Sequence, residues 1–177
     1  IMVTARRVDE SLQDVPLTVN VVTDKKLKDL NLFNGSDLAA VVPGLNFAPT
    51  TPGNTPTLGL RGAARGAAGG RLDPTVQTYM NEAPVTNVMV YQALYDIGQV
   101  EVLRGPQSTL FGKNASAGII SLVTAEPKSE FGGTLEASYG NRSAIILKGD
   151  ITGPITETLA YSIAGNYNKR DGYGRDL

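Results

Sequence analysis

Residues 99–127, with the sequence QVEVLRGPQSTLFGKNASAGIISLVTAEP, constrain the fold of this chain more than any other stretch. Polar and apolar residues alternate over 99–103, which predicts a short strand, and residues 119–124 form a second apolar, β-branched run. Between these runs lies a turn-rich connector that contains three glycines: Gly105, Gly112 and Gly118. We therefore expect two strands joined by a rigid link, an arrangement that suits a mechanical role better than catalysis.

The connector superficially resembles a phosphate-binding loop, because it contains Gly112 followed by Lys113. A P-loop, however, has four residues between its glycines and a Ser or Thr after the lysine. Here six residues separate Gly105 from Gly112, and Asn114 follows Lys113. The glycines within residues 59–66 also lack the spacing of a dinucleotide fingerprint. The sequence therefore predicts no nucleotide site.

The composition excludes several kinds of chemistry. The 177 residues include no histidine and no cysteine. A histidine base, a Ser-His-Asp triad, a disulfide and a thiolate metal site are therefore impossible within this chain. The net charge is −1, and the Lys and Arg residues are scattered, so no basic surface indicates nucleic acid as a partner. We predict a non-enzyme without a cofactor or a bound metal.

The first half of the chain predicts a small α/β unit. Alternation and turn signals predict strands at residues 15–23, 45–48, 57–61 and 75–81. Two short helices are expected between the first two strands. We expect Asp24 to cap the first helix, Leu27 and Leu30 to share its buried face, and Ser36 with Asp37 to open the second helix. A further short helix or turn is expected at residues 91–96.

After Pro127 the pattern changes to three long alternating segments, at residues 134–139, 143–152 and 158–168. Each has apolar residues on one face and mostly small or polar residues on the other. Such segments approach the roughly ten residues that a tilted membrane-spanning strand needs. An ordinary half-buried sheet is the alternative, and the repeated length favours a barrel wall. A turn is expected at Gly153-Pro154, between the second and third segments.

The segment EVLRGPQSTLFGKNASAGIISLVT closely resembles the end of the plug domain of TonB-dependent outer-membrane receptors, and DVPLTVNVVT with DLAAVVPGLNF resembles its opening. The resemblance covers essentially the whole chain. It implies an α+β plug domain, a small mixed sheet with short helices, followed by the first antiparallel strands of a 22-strand transmembrane β-barrel. The implied domains are residues 1–14 (TonB-box tail and linker), 15–127 (plug) and 128–177 (about three wall strands), with a trimmed start and a truncated end.

The resemblance also implies a function and a location. Such a receptor imports a scarce nutrient, here a ferric siderophore, with energy transmitted by TonB; cobalamin, haem or a carbohydrate are alternative nutrients. It lies in the outer membrane of a Gram-negative bacterium, in contact with lipid, with the plug in the lumen and the N-terminus in the periplasm. A stand-alone plug-like binding or signalling module remains the alternative. The absence of His and Cys disfavours a small soluble α/β enzyme.

Two groups of site residues follow from the resemblance. Met2, Val3, Thr4 and Ala5 match the tail of the TonB box, which TonB pairs with by β-augmentation. The alternative for this run, which has no obvious partner in the chain, is a frayed terminus. Arg61 and Arg104, each in a Leu-Arg-Gly motif, correspond to arginines that lock the plug to glutamates of the barrel wall; the alternative is a solvated arginine.

The plug's structural motif and its ligand contacts complete the expectations. The motif residues are Gly62, Gly105, Pro106, Gly112, Asn114 and Gly118. Ligand contacts are expected in the loops at 49–56, 62–73 and 86–95, from Arg65, Arg71, Tyr91 and Tyr95. The two tyrosines would stack on a ligand or equally pack the plug against the wall, and the two arginines would attract an anionic chelate or simply be solvated.

Overall fold

The computed structural model of the chain describes residues 1–3, 10–32, 34–48, 57–64, 74–92, 94–112 and 114–172. The chain divides into two compact units, Ile1–Thr124 and Ala125–Leu177. Within the described ranges, no helix has both the length and the apolar character needed to cross a membrane.

The described part of the first unit contains short strands and helices in mixed order. Its strands are β1 (Met2–Val3), β2 (Glu10–Ser11), β3 (Thr18–Thr23), β4 (Leu45–Ala48), β5 (Thr57–Leu60), β6 (Ala63–Ala64), β7 (Val76–Met80), β8 (Ala83–Val85), β9 (Ile97–Arg104) and β10 (Gly118–Thr124). Its helices are α1 (Asp24–Asp29), α2 (Gly35–Leu38), α3 (Asn87–Gln92) and α4 (Ser108–Phe111).

A five-stranded mixed sheet forms the centre of this unit, with the strand order β3-β9-β10-β7-β8. The pair β10–β7 is parallel and the other pairs are antiparallel. Because side chains alternate along a strand, β9 and β10 supply apolar side chains to both faces of the sheet. The α+β fold with a small mixed sheet is thus confirmed.

Two hydrophobic clusters cover the two faces of the sheet. The larger one contains Val100, Val102 and Ile120 of the central strands, with Leu27 of α1 and Leu38 of α2. The buried residues of the smaller cluster, which we call the N-terminal face, are Val3, Val15, Tyr79, Leu103, Ala115 and Ile119. Beside the main sheet, β4, β5 and β6 form a three-stranded sheet, and β1 pairs with β2.

The helix starts differ from the sequence-based expectation. Thr23, not Asp24, caps α1, because its extended backbone lets its hydroxyl accept from the Lys26 amide at 3.5 Å. Asn34 caps α2, and Asp37 completes a capping box with it. The expectation for Leu30 was wrong, because this residue follows the last turn of α1 and is exposed, whereas Leu27 is buried.

The second unit is an antiparallel sheet of β11 (Gly132–Gly140), β12 (Ala144–Pro154) and β13 (Ala160–Lys169). All three strands were predicted, and the turn expected to begin at Gly153-Pro154 begins two residues later, because β12 extends to Pro154. One face is apolar and exposed, with Leu135, Tyr139, Ile145, Leu147, Ile151, Ile163 and Tyr167. The opposite face includes Glu136 directly across from Lys148, and Asp150, which accepts a hydrogen bond from Thr134.

Candidate functional site

The connector between β9 and β10 continues the hairpin beyond its two strands. The amide of Gly105 donates to Ala117 O at 3.0 Å, and that of Gln107 donates to Ala115 O at 2.9 Å. The single turn of α4 follows and ends at Gly112. The sequence predicts a turn-rich link but not this helix, because four residues are too few to show a helical period.

The side chain of Tyr79, on β7, ties the connector to the sheet. Its hydroxyl donates to Phe111 O at 2.7 Å. The two rings meet edge to face, with centroids 4.9 Å apart. Because Tyr79 is buried in the N-terminal face, this contact fixes α4 against the main sheet.

The glycines of the predicted motif hold backbone positions that other residues would strain. A Cβ atom at Gly118 would overlap the carbonyl oxygen of Leu103 and lie 2.7 Å from Leu60 Cδ1, so the hairpin closes only around a hydrogen. Positive φ angles of 77°, 111° and 81° occur at Gly62, Gly105 and Gly112. These observations agree with the tight turns expected of the motif, which also includes the exposed Pro106 and the half-buried Asn114.

The two motif arginines meet at one turn of the chain, the turn between α2 and β4. Arg104 ends β9, and its Nη1 donates to Pro43 O at 3.3 Å. Arg61 follows β5 with a positive φ of 52°, and its backbone amide donates to Gly44 O at 2.9 Å. The side chain of Arg61 is exposed, whereas that of Arg104 is half-buried.

The guanidinium of Arg104 is only partly satisfied by this contact. Its Nε is buried and has no hydrogen-bond partner among the described residues. A buried N–H without an acceptor carries a free-energy cost, so the described residues leave this guanidinium incompletely hydrogen-bonded.

The N-terminal strand β1 lies on the main sheet. It pairs with β2, Met2 opposite Ser11, and Ile1 O accepts from the Leu12 amide at 3.0 Å. The side chain of Val3 is 1% exposed and packs in the N-terminal face. The expectation that this run lacks a partner in the chain is therefore wrong for Met2 and Val3. The partner was missed because β2 is two residues long and lies in a polar stretch.

Two polar side chains of β9 lie beside β1 and were not identified from the sequence. Gln99 Nε2 donates to Met2 O at 3.1 Å and to Glu101 Oε1 at 2.7 Å. Glu101 is 0% exposed, an unusual position for a carboxylate. Alternation along β9 predicts that these residues share a face, but it does not tell what covers that face.

Most of the expected ligand-binding residues cannot be placed. Arg65 and Arg71 lie outside the described residues, as do Thr4 and Ala5 of the predicted TonB-box tail. Tyr91 belongs to α3, but its side chain is not among those described. Tyr95, between α3 and β9, is 40% exposed. Among the described residues, no group of three or more His, Cys, Asp or Glu side chains is arranged to bind a metal.

Comparison with known proteins identifies the family. Residues 11–119 match the TonB-dependent Receptor Plug Domain. The chain is 36% identical over 141 residues to the pesticin receptor of Yersinia enterocolitica, covering 80% of this chain and 21% of that protein. It is 27% identical over 194 residues to an iron-regulated outer membrane virulence protein of Vibrio cholerae, covering 98% of this chain and 29% of that protein.

Solved structures share the fold. The ferric yersiniabactin uptake receptor FyuA from Yersinia pestis superposes with a TM-score of 0.77 at 32% identity, covering 85% of this chain and 24% of that one. The pyoverdine outer membrane receptor FpvA from Pseudomonas aeruginosa gives 0.81 at 21% identity, which supports the fold alone. The chain thus spans less than a third of each of these relatives. It belongs to the TonB-dependent receptor family and comprises the plug domain with the start of the barrel.

Proposed function

We propose that this chain is the plug and first wall strands of an outer-membrane receptor that binds a ferric siderophore and imports it with energy from TonB. The plug-domain match over residues 11–119 carries the proposal. Relatives with related names support the substrate class: the catecholate siderophore receptor Fiu of Escherichia coli is 28% identical over 176 residues, 92% of this chain. For the complete receptor, we thus propose the import activity, the class of substrate and the partner TonB.

The second unit supports a position in the outer-membrane lipid. Leu135 and Ile163 point out from the apolar face of β11–β13. Aromatic residues flank this face, with Tyr161 near one end and Tyr167 near the other. These tyrosines lie about 20 Å apart along β13, and aromatic residues toward both ends of an apolar face are typical of membrane barrels. We place this face toward lipid and the face of Glu136 and Lys148 toward the lumen.

We further propose that Arg61 and Arg104 lock the plug inside the barrel. Both contact the turn at Pro43 and Gly44, so they are available at one place on the plug surface. Arg104 is half-buried and its Nη1 contact with Pro43 O is exposed, so this end of the guanidinium is accessible to a further acceptor. A glutamate of the barrel wall suits this role, because a carboxylate matches the fork of a guanidinium.

Energy would enter through residues 2–5, which we propose pair with a strand of TonB in the periplasm. In the structure Met2 and Val3 are already paired with β2 and packed on the sheet. TonB can therefore add a strand only after β1 leaves the sheet. We propose that the siderophore binds the outward loops, at Tyr95 and at Arg65, Arg71 and Tyr91, and favours the state in which β1 is released.

Deleting residues 1–5 from the intact receptor tests this function. We expect siderophore binding to the cell surface to be unchanged and uptake to be abolished, because the ligand loops remain and the pairing strand is lost. A matched control replaces Lys25 and Lys28 by alanine, since both lie on the exposed side of α1. Uptake that persists after the deletion would contradict the role of residues 1–5.

A stand-alone plug-like binding or signalling module is the second candidate function. It would be soluble and monomeric without detergent. The exposed apolar face of β11–β13 argues against this candidate, because such a large patch needs lipid or protein to cover it.

Competition for binding among a ferric siderophore, haem, cobalamin and a carbohydrate would distinguish the possible nutrients.

A further inference from the structure

The contact of β1 with the main sheet combines an apolar and a polar component. The apolar component is Val3, which is buried between side chains of the N-terminal face. The polar component is the Gln99 amide, which reaches up from β9 to Met2 O at 3.1 Å. The pairing of β1 with β2 does not attach β1 to the main sheet, because it joins two segments of the N-terminal region.

Glu101 determines how the amide of Gln99 is used. An amide nitrogen carries two hydrogens. One of them points to Glu101 Oε1 at 2.7 Å, and the other is thereby directed to Met2 O. Because Glu101 is fully buried on a central strand, it holds the amide in this orientation.

We propose that Gln99 and Glu101 form a clasp that holds β1 on the plug and sets how readily it is released. Gln99 binds the strand directly, and Glu101 is a positioning residue that acts through Gln99. In the ligand-free receptor, the clasp limits binding of TonB, because β1 must leave the sheet before TonB can pair with it. This effect on TonB rests on the proposed function.

The size of the effect follows from the bond that is lost. A hydrogen bond of this kind shifts a folded equilibrium by about fivefold on average. Removing the clasp should therefore raise the released fraction of β1 by about fivefold. The strand pairing of β9 should remain, because Gln99 uses its side chain, not its backbone, to hold β1. The substitution also removes the bond that buried Glu101 accepts, so we expect a smaller loss of stability in the main sheet.

Thiol labelling of the intact receptor measures release directly. The 177 residues contain no cysteine, so a Val3→Cys substitution, with any cysteine elsewhere in the receptor changed to serine, gives a single reporter. Cysteine fits a small apolar site, and its thiol is protected while β1 is bound. A Val76→Cys substitution, at a fully buried position of β7, reports opening of the whole plug.

A matched control is available on the same sheet. The amide of Gln77, on β7, also donates two hydrogen bonds, to Thr78 O and Val85 O, both at 3.1 Å. We expect Gln99→Ala to accelerate labelling of the Val3→Cys variant about fivefold. Gln77→Ala should leave that rate unchanged, and Gln99→Ala should accelerate labelling of the Val76→Cys variant by a smaller factor than labelling of the Val3→Cys variant.

Two results would overturn the clasp: an unchanged labelling rate in the Gln99→Ala variant, or an equal acceleration at both reporter positions.

Glu101→Gln provides a second variant that preserves shape and volume. It should accelerate labelling at position 3 but by less than Gln99→Ala, because the new side chain keeps one carbonyl oxygen as an acceptor and replaces the other carboxyl oxygen by a donor. No acceleration there would remove Glu101 from the proposal.

The labelling assay uses neither TonB nor siderophore, so it tests the clasp independently of transport. In a separate assay, Gln99→Ala should raise the affinity of the ligand-free receptor for the periplasmic domain of TonB by the same factor. Faster labelling without tighter TonB binding would support the clasp and overturn the proposed role of β1. Unchanged labelling together with TonB-dependent uptake would overturn the clasp and leave the proposed function intact.

Discussion

Gly118 shows how much one backbone position contributes to the plug. A side chain there would collide with the Leu103 carbonyl, whereas a Cβ at Gly105 would meet nothing within 4 Å. We expect Gly118→Ala to lower the free energy of unfolding by roughly 3 kcal/mol or more, from overpacking and strain together. Gly105→Ala should cost less, about 1–3 kcal/mol, because only the strain of its positive φ contributes. Unfolding of the intact receptor in urea, monitored by thiol labelling of the Val76→Cys variant, would compare the two substitutions. An equal loss of stability in both would contradict this explanation.

Glu82 is strained in the turn between β7 and β8. Asn81 and Glu82 have φ angles of 45° and 67°, a conformation that favours Asn and Gly over Glu. We therefore expect Glu82→Gly to stabilise the plug by about 1 kcal/mol in the same urea assay. The control is Asn81→Gly, which should be destabilising because the Asn81 side chain binds the amide and hydroxyl of Thr124, each at 3.0 Å. Destabilisation by Glu82→Gly would contradict this interpretation.

The sequence reveals residues with a local signal and misses those defined by distant contacts. The Leu-Arg-Gly motifs identify Arg61 and Arg104, but no local pattern places both at the turn of Pro43 and Gly44. Gln99 and Glu101 belong to no sequence motif that would identify them. Their role depends on Met2, which is 97 residues away from Gln99 in the chain.

At the scale of secondary structure, periodicity predicts the longer strands and fails for the shortest elements. Strands β9, β10 and β12 were all anticipated, with ends that moved by a few residues. The one-turn helix α4 and the three-residue strand β8 were not, because so few residues cannot show a period. Both depend on contacts that form only in the folded unit, such as the bond from Tyr79 to Phe111.

The two faces of β11 should respond differently to charge. Leu135 is 84% exposed on the apolar face, and Ser138 lies on the opposite face of the same strand. We expect Leu135→Lys to reduce the amount of receptor in the outer membrane, because a lysine facing lipid costs about 2–4 kcal/mol near the midplane. Ser138→Lys should be tolerated. Quantifying folded receptor in isolated outer membranes measures both, and equal levels would contradict the assignment of the apolar face to lipid.

At the scale of the whole molecule, the topology suits a plug that yields from its N-terminus. Strand β3 is the first strand of the main sheet in chain order, and among the described strands it pairs with β9 alone, at the edge of the sheet. A force applied at the N-terminus would therefore reach β1, its clasp and then an edge strand before the central pair of β9 and β10. We infer that the outer elements detach in sequence while the centre of the sheet stays intact.

We propose that the complete receptor imports its ligand with energy from TonB. Accumulation of a ferric siderophore in cells that express the intact receptor, with and without TonB, tests this import. We expect equal binding at the cell surface in both strains and receptor-dependent accumulation only where TonB is present. Equal accumulation in the two strains would contradict the claim.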